Sequence, residues 1–167
     1  MAIENPREVF TFMLSNVRQS EERATKIFQE LSQIAQDPDV KEVLDARAYV
    51  HEKILGTLDQ CFKLIGEQPS KTAGRLQEVF VEDFKRELGE IQSQAAKHLF
   101  ILYKAVQLLH IRIGEYAALT AAADLSRHYA VGTLLETCLA DKLALAERAR
   151  RLIRRVAEVK VAERMAA

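Results

Sequence analysis

The sequence lacks an excess of charge, a long uncharged run and the cysteine spacings that bind metals. Its 24 basic residues balance its 24 acidic ones, so the net charge does not favour binding to nucleic acid or to an acidic membrane. No uncharged run reaches the ~18 residues that a membrane-spanning helix needs. The N-terminus has no basic stretch followed by an apolar one, as a signal peptide has. We therefore expect a cytoplasmic protein that contacts neither membranes nor nucleic acid.

Cysteine and proline are both scarce. The two cysteines, Cys61 and Cys138, lie among apolar helical positions and do not form a metal knuckle or a CxxC pair. Their placement is typical of buried thiols in a reducing compartment. Two of the three prolines occur as Asn5-Pro6 and Asp37-Pro38, a pattern that predicts helix starts. Pro69 marks a connector.

Four long stretches carry apolar residues at alternating steps of three and four, which predicts the four helices of a bundle. We expect the central helix at about 90–124, a stretch without proline. A shorter and more charged amphipathic stretch at 70–88 lies between the second and third long helices, where it can cross over the outside. This separation predicts an all-α fold with the up-down-down-up connectivity of ferritin-like bundles. We expect one such domain over residues 1–167.

One polar residue interrupts the apolar seam near the middle of three of these helices. The four mid-helix positions are Glu21, His51, Leu109 and Lys142. In an antiparallel bundle they fall into one layer, and residues beside them extend the candidate site: Glu52, His110, Arg112 and Asp141. Ionisable groups in a core are costly unless they are paired or bind a metal.

Besides long polar side chains that reach out to solvent from a less buried seam, two explanations of this layer follow from the residues. A di-metal centre needs a Glu from each of two helices and a Glu-x-x-His from each of the other two, but Gln107 precedes His110 and Ala48 precedes His51 at that spacing. A reduced iron or manganese site would draw on Glu21, His51, Glu52, His110 and Asp141. The alternative is a buried network in which Glu21 pairs with Lys142, helped by Glu52, Arg112 and His51. We expect the network and no resident metal, because a lysine ammonium repels a cation.

The sequence offers three further candidate sites. A small-molecule pocket would lie around Leu109. Cys138 lies four residues from Lys142, which would lower the pKa of the thiol, but no base accompanies it. The arginines of the last helix are expected to form a solvated face, because glutamates flank them; they are Arg148, Arg150, Arg151, Arg154 and Arg155.

The stretch EVFTFMLSNVRQSEERATKIFQELSQIA resembles the YciE/YciF-like proteins, a bacterial ferritin-like family associated with stress responses. The stretches LLHIRIGEYAALTAAADL and AVGTLLETCLADK extend the resemblance through most of the chain. The family is similar to di-iron proteins with inward carboxylates. Of the ligands that this resemblance implies, Glu21 is retained, whereas the carboxylate expected around Tyr49-Val50 is missing.

The last two long helices depart further from the family pattern. The third should read Glu-His-Tyr-Glu but reads LHIR at 109–112, and the fourth should read Leu-x-Glu-Glu but reads LADK at 139–142. The resemblance therefore implies a ferritin-like homodimer with a degenerate, metal-free di-metal site, acting as a stress-associated structural or interaction protein. The alternative is a metal-binding oxidoreductase or iron-handling protein with an atypical set of iron or manganese ligands.

Overall fold

A computed structural model describes residues 3–35, 38–71 and 75–166. Within these ranges the chain forms five helices: α1 (Pro6–Ile34), α2 (Pro38–Ile65), α3 (Arg75–Glu90), α4 (Gln94–Leu125) and α5 (Tyr129–Ala166). α1, α2, α4 and α5 are the four predicted long helices, and α3 is the predicted crossover. The predicted cap Asp37 and the side chains of Ala48 and Tyr49 lie outside the described residues.

Local interactions at the helix ends agree with the sequence signals. The Asn5 side chain accepts a hydrogen bond of 3.0 Å from the Glu8 backbone N–H and caps α1, with Pro6 as the first helical residue. α2 ends at Ile65, and the next residue, Gly66, has a φ of +69°, which suits a residue without a β-carbon. There the Glu67 N–H donates to the Phe62 carbonyl at 3.1 Å, which closes the helix end.

The start of α4 differs from the prediction by four residues. The crossover stretch was expected to end at residue 88, but α3 continues through Gly89 to Glu90, and α4 begins only at Gln94. One exposed helical glycine costs only about 1 kcal/mol, so α3 continues through it. The Ser93 side chain then caps α4 by accepting a hydrogen bond from the Ala96 N–H.

Two buried apolar clusters fix the directions of the four long helices. At one end the cluster joins the start of α1, the end of α2, the end of α4 and the start of α5, through residues that include Phe10, Leu58, Leu119 and Leu135. At the other end it joins the opposite halves of the same helices, through residues that include Phe28, Leu44, Leu102 and Leu152. α1 and α5 therefore run one way and α2 and α4 the other, which confirms the predicted ferritin-like up-down-down-up connectivity.

The crossover helix α3 packs on the outside against α1 and α4. Phe84 is 2% exposed and belongs to the cluster that contains Phe28 and Leu102. Beside it, the Lys104 ammonium lies 2.5 Å from a Glu87 carboxylate oxygen and 5.3 Å from the centroid of the Phe100 ring. α3 thus covers one half of the groove between α1 and α4.

Among the helices of the described residues, none combines the length and the apolar character needed to cross a membrane.

Candidate functional site

Four ionisable side chains lie buried between the two apolar clusters. Glu21 and Lys142 are 0% exposed, Arg112 is 1% exposed and His51 is 2% exposed. Each comes from a different long helix. Each also lies near the middle of its helix and faces the bundle axis, so the four side chains share one level of the bundle. We call these four residues the polar layer.

The carboxylate of Glu21 lies at the centre of the polar layer. Its Oε1 is 2.6 Å from the Nζ of Lys142, and its Oε2 is 3.3 Å from the Nδ1 of His51. One carboxylate thus joins α1 to both α2 and α5. The Lys142 ammonium also lies 5.5 Å from the centroid of the Tyr116 ring, a distance at which the ring face attracts a cation.

Arg112 forms a second ion pair in the same level of the bundle. Its Nη1 donates to a carboxylate oxygen of Glu115, one turn further along α4. Burial raises the pKa of Glu115, although the charge of Arg112 acts in the opposite direction. When both carboxylates are ionised, two negative charges face the two positive charges of Arg112 and Lys142.

The structure brings together only part of the predicted site. Glu21, His51, Arg112 and Lys142 converge, whereas Glu52 and His110 are exposed, so their predicted place in a buried layer was wrong. His110 instead contacts the Val106 carbonyl through Nδ1, at 2.9 Å.

Asp141 is also misplaced by the sequence prediction. It is partly exposed, and its Oδ2 accepts a hydrogen bond of 2.9 Å from the Nζ of Lys53. The reason is geometric, because adjacent helical residues point about 100° apart. Once His51 and Lys142 face the core, their neighbours Glu52 and Asp141 are turned towards solvent.

Glu115 was missed by the sequence analysis. The signal that could have found it is the Arg112–Glu115 spacing of three residues, at which two helical side chains of opposite charge meet. A buried arginine also requires a partner, and within α4 this is the acidic residue one turn away.

The donor atoms in the described part of the chain do not fit a di-metal centre. Such a centre uses four carboxylates and two imidazoles, but the polar layer supplies one carboxylate, Glu21, and one imidazole, His51. Among the described residues, no three His, Cys, Asp or Glu side chains are grouped so that they could hold a metal ion. The Lys142 ammonium already contacts the carboxylate oxygen that a metal would need.

The two cysteines are buried free thiols. Burial raises the pKa of Cys61 to about 12 and the pKa of Cys138 to about 11. Lys142 lowers the pKa of Cys138 by less than burial raises it, so the predicted lowering was wrong. Both thiols therefore stay protonated near neutral pH and are poor nucleophiles.

The other residues that the sequence analysis singled out make ordinary packing contacts or ion pairs. Leu109 is 2% exposed and packs with Leu145 and Ala146. In the arginine-rich part of α5, Arg148 pairs with Glu42 of α2, and Arg150 lies 3.4 Å from Glu147. Flanking acidic residues thus neutralise part of this surface.

Comparisons with known proteins find one matching family and several similar solved structures. The model of a family described as "Domain of unknown function (DUF892)" matches residues 5–164. The solved structure of YcfI from Rhodopseudomonas palustris, provisionally called a structural protein, matches with a TM-score of 0.85 at 22% identity, over 89% of this chain and 94% of that chain. The E. coli stress protein YciF matches with a TM-score of 0.88 at 16% identity, over 93% and 99% of the two chains.

A third solved structure, of a protein from Xanthomonas campestris pv. campestris, matches with a TM-score of 0.71 at 16% identity, over 98% of this chain and 100% of that chain. No functionally curated protein matches the chain. Together with the family match, these structures confirm the predicted resemblance to YciE/YciF-like proteins. At such low identities the solved structures show the fold alone.

Proposed function

Since the chain belongs to the family described as Domain of unknown function (DUF892), we propose that it is a non-enzymatic, stress-associated structural or interaction protein. In this proposal an ion-pair network replaces the di-metal site of a ferritin-like bundle. The observation that carries it is the 2.6 Å contact between Glu21 and Lys142, both 0% exposed.

The charges of the polar layer support the absence of a metal. In a carboxylate-bridged centre, bound cations neutralise the inward carboxylates. Here the chain supplies two cations itself, Arg112 and Lys142, and each contacts a carboxylate. A divalent ion at Glu21 would lie next to the Lys142 ammonium, and this repulsion opposes metal binding.

The cellular setting is proposed from the relatives and from the charge balance. One structural neighbour is called a stress protein and another is provisionally called a structural protein. We therefore propose a stress-associated structural role for this chain as well. We propose a cytoplasmic homodimer. Because the net charge is zero, we propose no nucleic acid or membrane partner for it.

The alternative function is a metal-binding oxidoreductase or iron-handling protein with an atypical ligand set. One observation favours it: a carboxylate and an imidazole, from Glu21 and His51, lie together in the core. The Nε2 of His51 has no hydrogen-bond partner among the described residues. A buried imidazole nitrogen of this kind is also a potential metal ligand.

Metal analysis of the purified protein separates the two functions. Wild type and Glu21→Gln are expressed in iron- and manganese-supplemented medium, and bound metals are measured by plasma mass spectrometry. We expect metal far below one ion per chain in both proteins, and no ferroxidase turnover. About one or two iron, manganese or zinc ions per chain, as in a di-metal bundle, that are lost in Glu21→Gln would refute the proposed function.

A further inference from the structure

The crossover helix α3 is anchored to the bundle by one buried side chain. Among the described side chains of α3, only Phe84 is buried, at 2% exposed. Its ring stacks on the ring of Phe100 in α4, with the two centroids 5.9 Å apart. Phe80, Val81 and Leu88 pack against the same apolar cluster but are only partly buried. Phe84 is therefore the main apolar anchor of α3.

Two ion pairs at the surface join α3 to α1. The Oε1 of Glu78 lies 3.4 Å from the Nη1 of Arg23. The Nζ of Lys85 lies 3.1 Å from the Oε2 of Glu30. All four side chains are at least 33% exposed. Ion pairs this exposed contribute at most about 1 kcal/mol each, and dissolved salt screens them.

The third ion pair of α3 is with α4. The Nζ of Lys104 lies 2.5 Å from the Oε2 of Glu87, and the Glu87 side chain is 38% exposed. The four long helices contribute to both large apolar clusters, whereas α3 contributes to one of them only. A helix as short as α3 draws most of its stability from packing. Of the five helices, α3 thus has the least packing to lose when it detaches.

Both ends of α3 are fixed to the bundle by contacts outside the helix. Before α3, the Ser70 N–H donates a hydrogen bond of 3.1 Å to the Oγ of Ser15 in α1. After α3, the Ser93 side chain caps α4. Neither contact depends on the helical form of residues 75–90, so α3 can unfold locally between them.

We propose that α3 is a strap that detaches from α1 and α4 and unfolds while the four long helices stay packed, and that higher ionic strength favours the detached form. Screening by salt weakens the three ion pairs that hold α3. Detachment uncovers the covered half of the groove between α1 and α4. It joins that half to a cavity of about 400 Å³ in the other half, whose lining includes Met13 and Glu115. Ionic strength then sets how much of this groove the bundle exposes.

Hydrogen exchange of the full chain, read by mass spectrometry, tests the strap. Peptides from residues 79–90, beyond the unbonded N–H groups of the first turn, are compared with peptides from the centres of α1 and α4. We expect the α3 amides to exchange at least about a hundredfold faster than the amides of the two centres. Raising sodium chloride from about 50 mM to about 1 M should speed exchange in α3 at least about threefold, relative to an unstructured reference peptide. An α3 that exchanges as slowly as the two centres, or no faster in high salt, would overturn the inference.

Two variants separate local detachment from unfolding of the whole bundle. Ile54→Val removes one methyl group from the apolar cluster that α3 does not join, where Ile54 is 1% exposed. It should speed exchange in the centres of α1 and α4 at least about twofold and leave exchange in α3 unchanged, because Ile54 stays packed when α3 detaches. Phe84→Ala removes the anchor and should speed exchange in α3 at least about tenfold. If Ile54→Val speeds exchange in α3 and in the two centres alike, α3 opens only with the whole bundle and is not a strap.

Removing charges in pairs tests the role of the ion pairs. Glu78→Gln/Lys85→Met lacks both ion pairs with α1 but keeps Phe84. We expect its α3 to exchange faster than that of wild type at low salt and to respond less to added salt. The matched control is Asp83→Asn/Arg86→Met, which removes a 2.7 Å ion pair within α3 itself and should respond to salt as wild type does. Equal salt responses in the two double variants would contradict the salt dependence of the strap.

Discussion

Neutralising Glu21 is the most direct test of the polar layer. Glu21→Gln keeps the size of the side chain but leaves the Lys142 ammonium without the carboxylate that lies 2.6 Å away. Removing one partner of a buried ion pair costs about 3–5 kcal/mol. An unpaired lysine can also lose its proton, and at pH 7 this costs roughly 4–5 kcal/mol for a group with an ordinary pKa of about 10.4. The two estimates agree, so we expect a loss of about 4 kcal/mol.

The assay is urea unfolding followed by circular dichroism, together with thermal unfolding. For a protein of this size, a loss of 3–5 kcal/mol corresponds to a fall in Tm of roughly 6–20 °C. The matched control is Asp141→Asn, which removes a partly exposed partner of Lys53 and should cost less than about 1 kcal/mol.

The double variant Glu21→Gln/Lys142→Met distinguishes a coupled pair from two independent residues. Replacing both charges leaves no unpaired ion, so we expect the double variant to be more stable than Glu21→Gln alone. If Glu21→Gln costs no more than Asp141→Asn, or if the two single losses simply add, the reasoning about the polar layer is refuted.

Three other perturbations give sharp expectations. Because the pKa of Cys138 is raised to about 11, the native state binds the thiol proton more tightly than the unfolded state does. The free energy of unfolding should therefore fall as pH rises from about 8.5, and it should fall less steeply in Cys138→Ala. Equal dependence of the unfolding free energy on pH in the two proteins, measured by urea unfolding, would contradict this. The family resemblance implies carboxylates at positions 112 and 142, and Arg112→Glu/Lys142→Glu supplies both. We expect this variant to be strongly destabilised without metal and raised in Tm by Mn²⁺ or Zn²⁺; a variant indifferent to both metals would argue against a di-metal geometry in this layer. Lys104→Met removes a buried ammonium that pairs with Glu87 at 2.5 Å. It should lower the unfolding free energy by more than Lys85→Met does, because the ion pair of Lys85 with Glu30 is exposed. Equal losses would show that Lys104 does not anchor α3.

The fold could be predicted because its determinants are local. The spacing of apolar residues identified the four long helices, and Asn5-Pro6 marked a real helix start. The stretch between α2 and α4 was long enough to run the length of the bundle, which decided the connectivity. The start of α4 was missed because Gly89 is a weak helix breaker, whereas the side chain of Ser93 provides the actual cap.

The polar layer could be predicted only where the seam position itself was polar. Glu21, His51 and Lys142 interrupt apolar seams, so their direction follows from the periodicity. Glu52, His110 and Asp141 were included because they are adjacent in sequence, and adjacency on a helix means a different direction. Which carboxylate pairs with which cation depends on helix rotation and on side-chain rotamers, and a sequence pattern does not specify these.

The contact between Glu21 and Lys142 has a consequence for how the bundle responds to its surroundings. A carboxylate neutralised by a bound ion is only as stable as the supply of that ion, because occupancy follows concentration, competing chelators and pH. The ammonium that neutralises Glu21 is covalently part of the same chain. Its position beside Glu21 is therefore fixed by the fold, and the neutralisation of this carboxylate needs no ion from the surroundings.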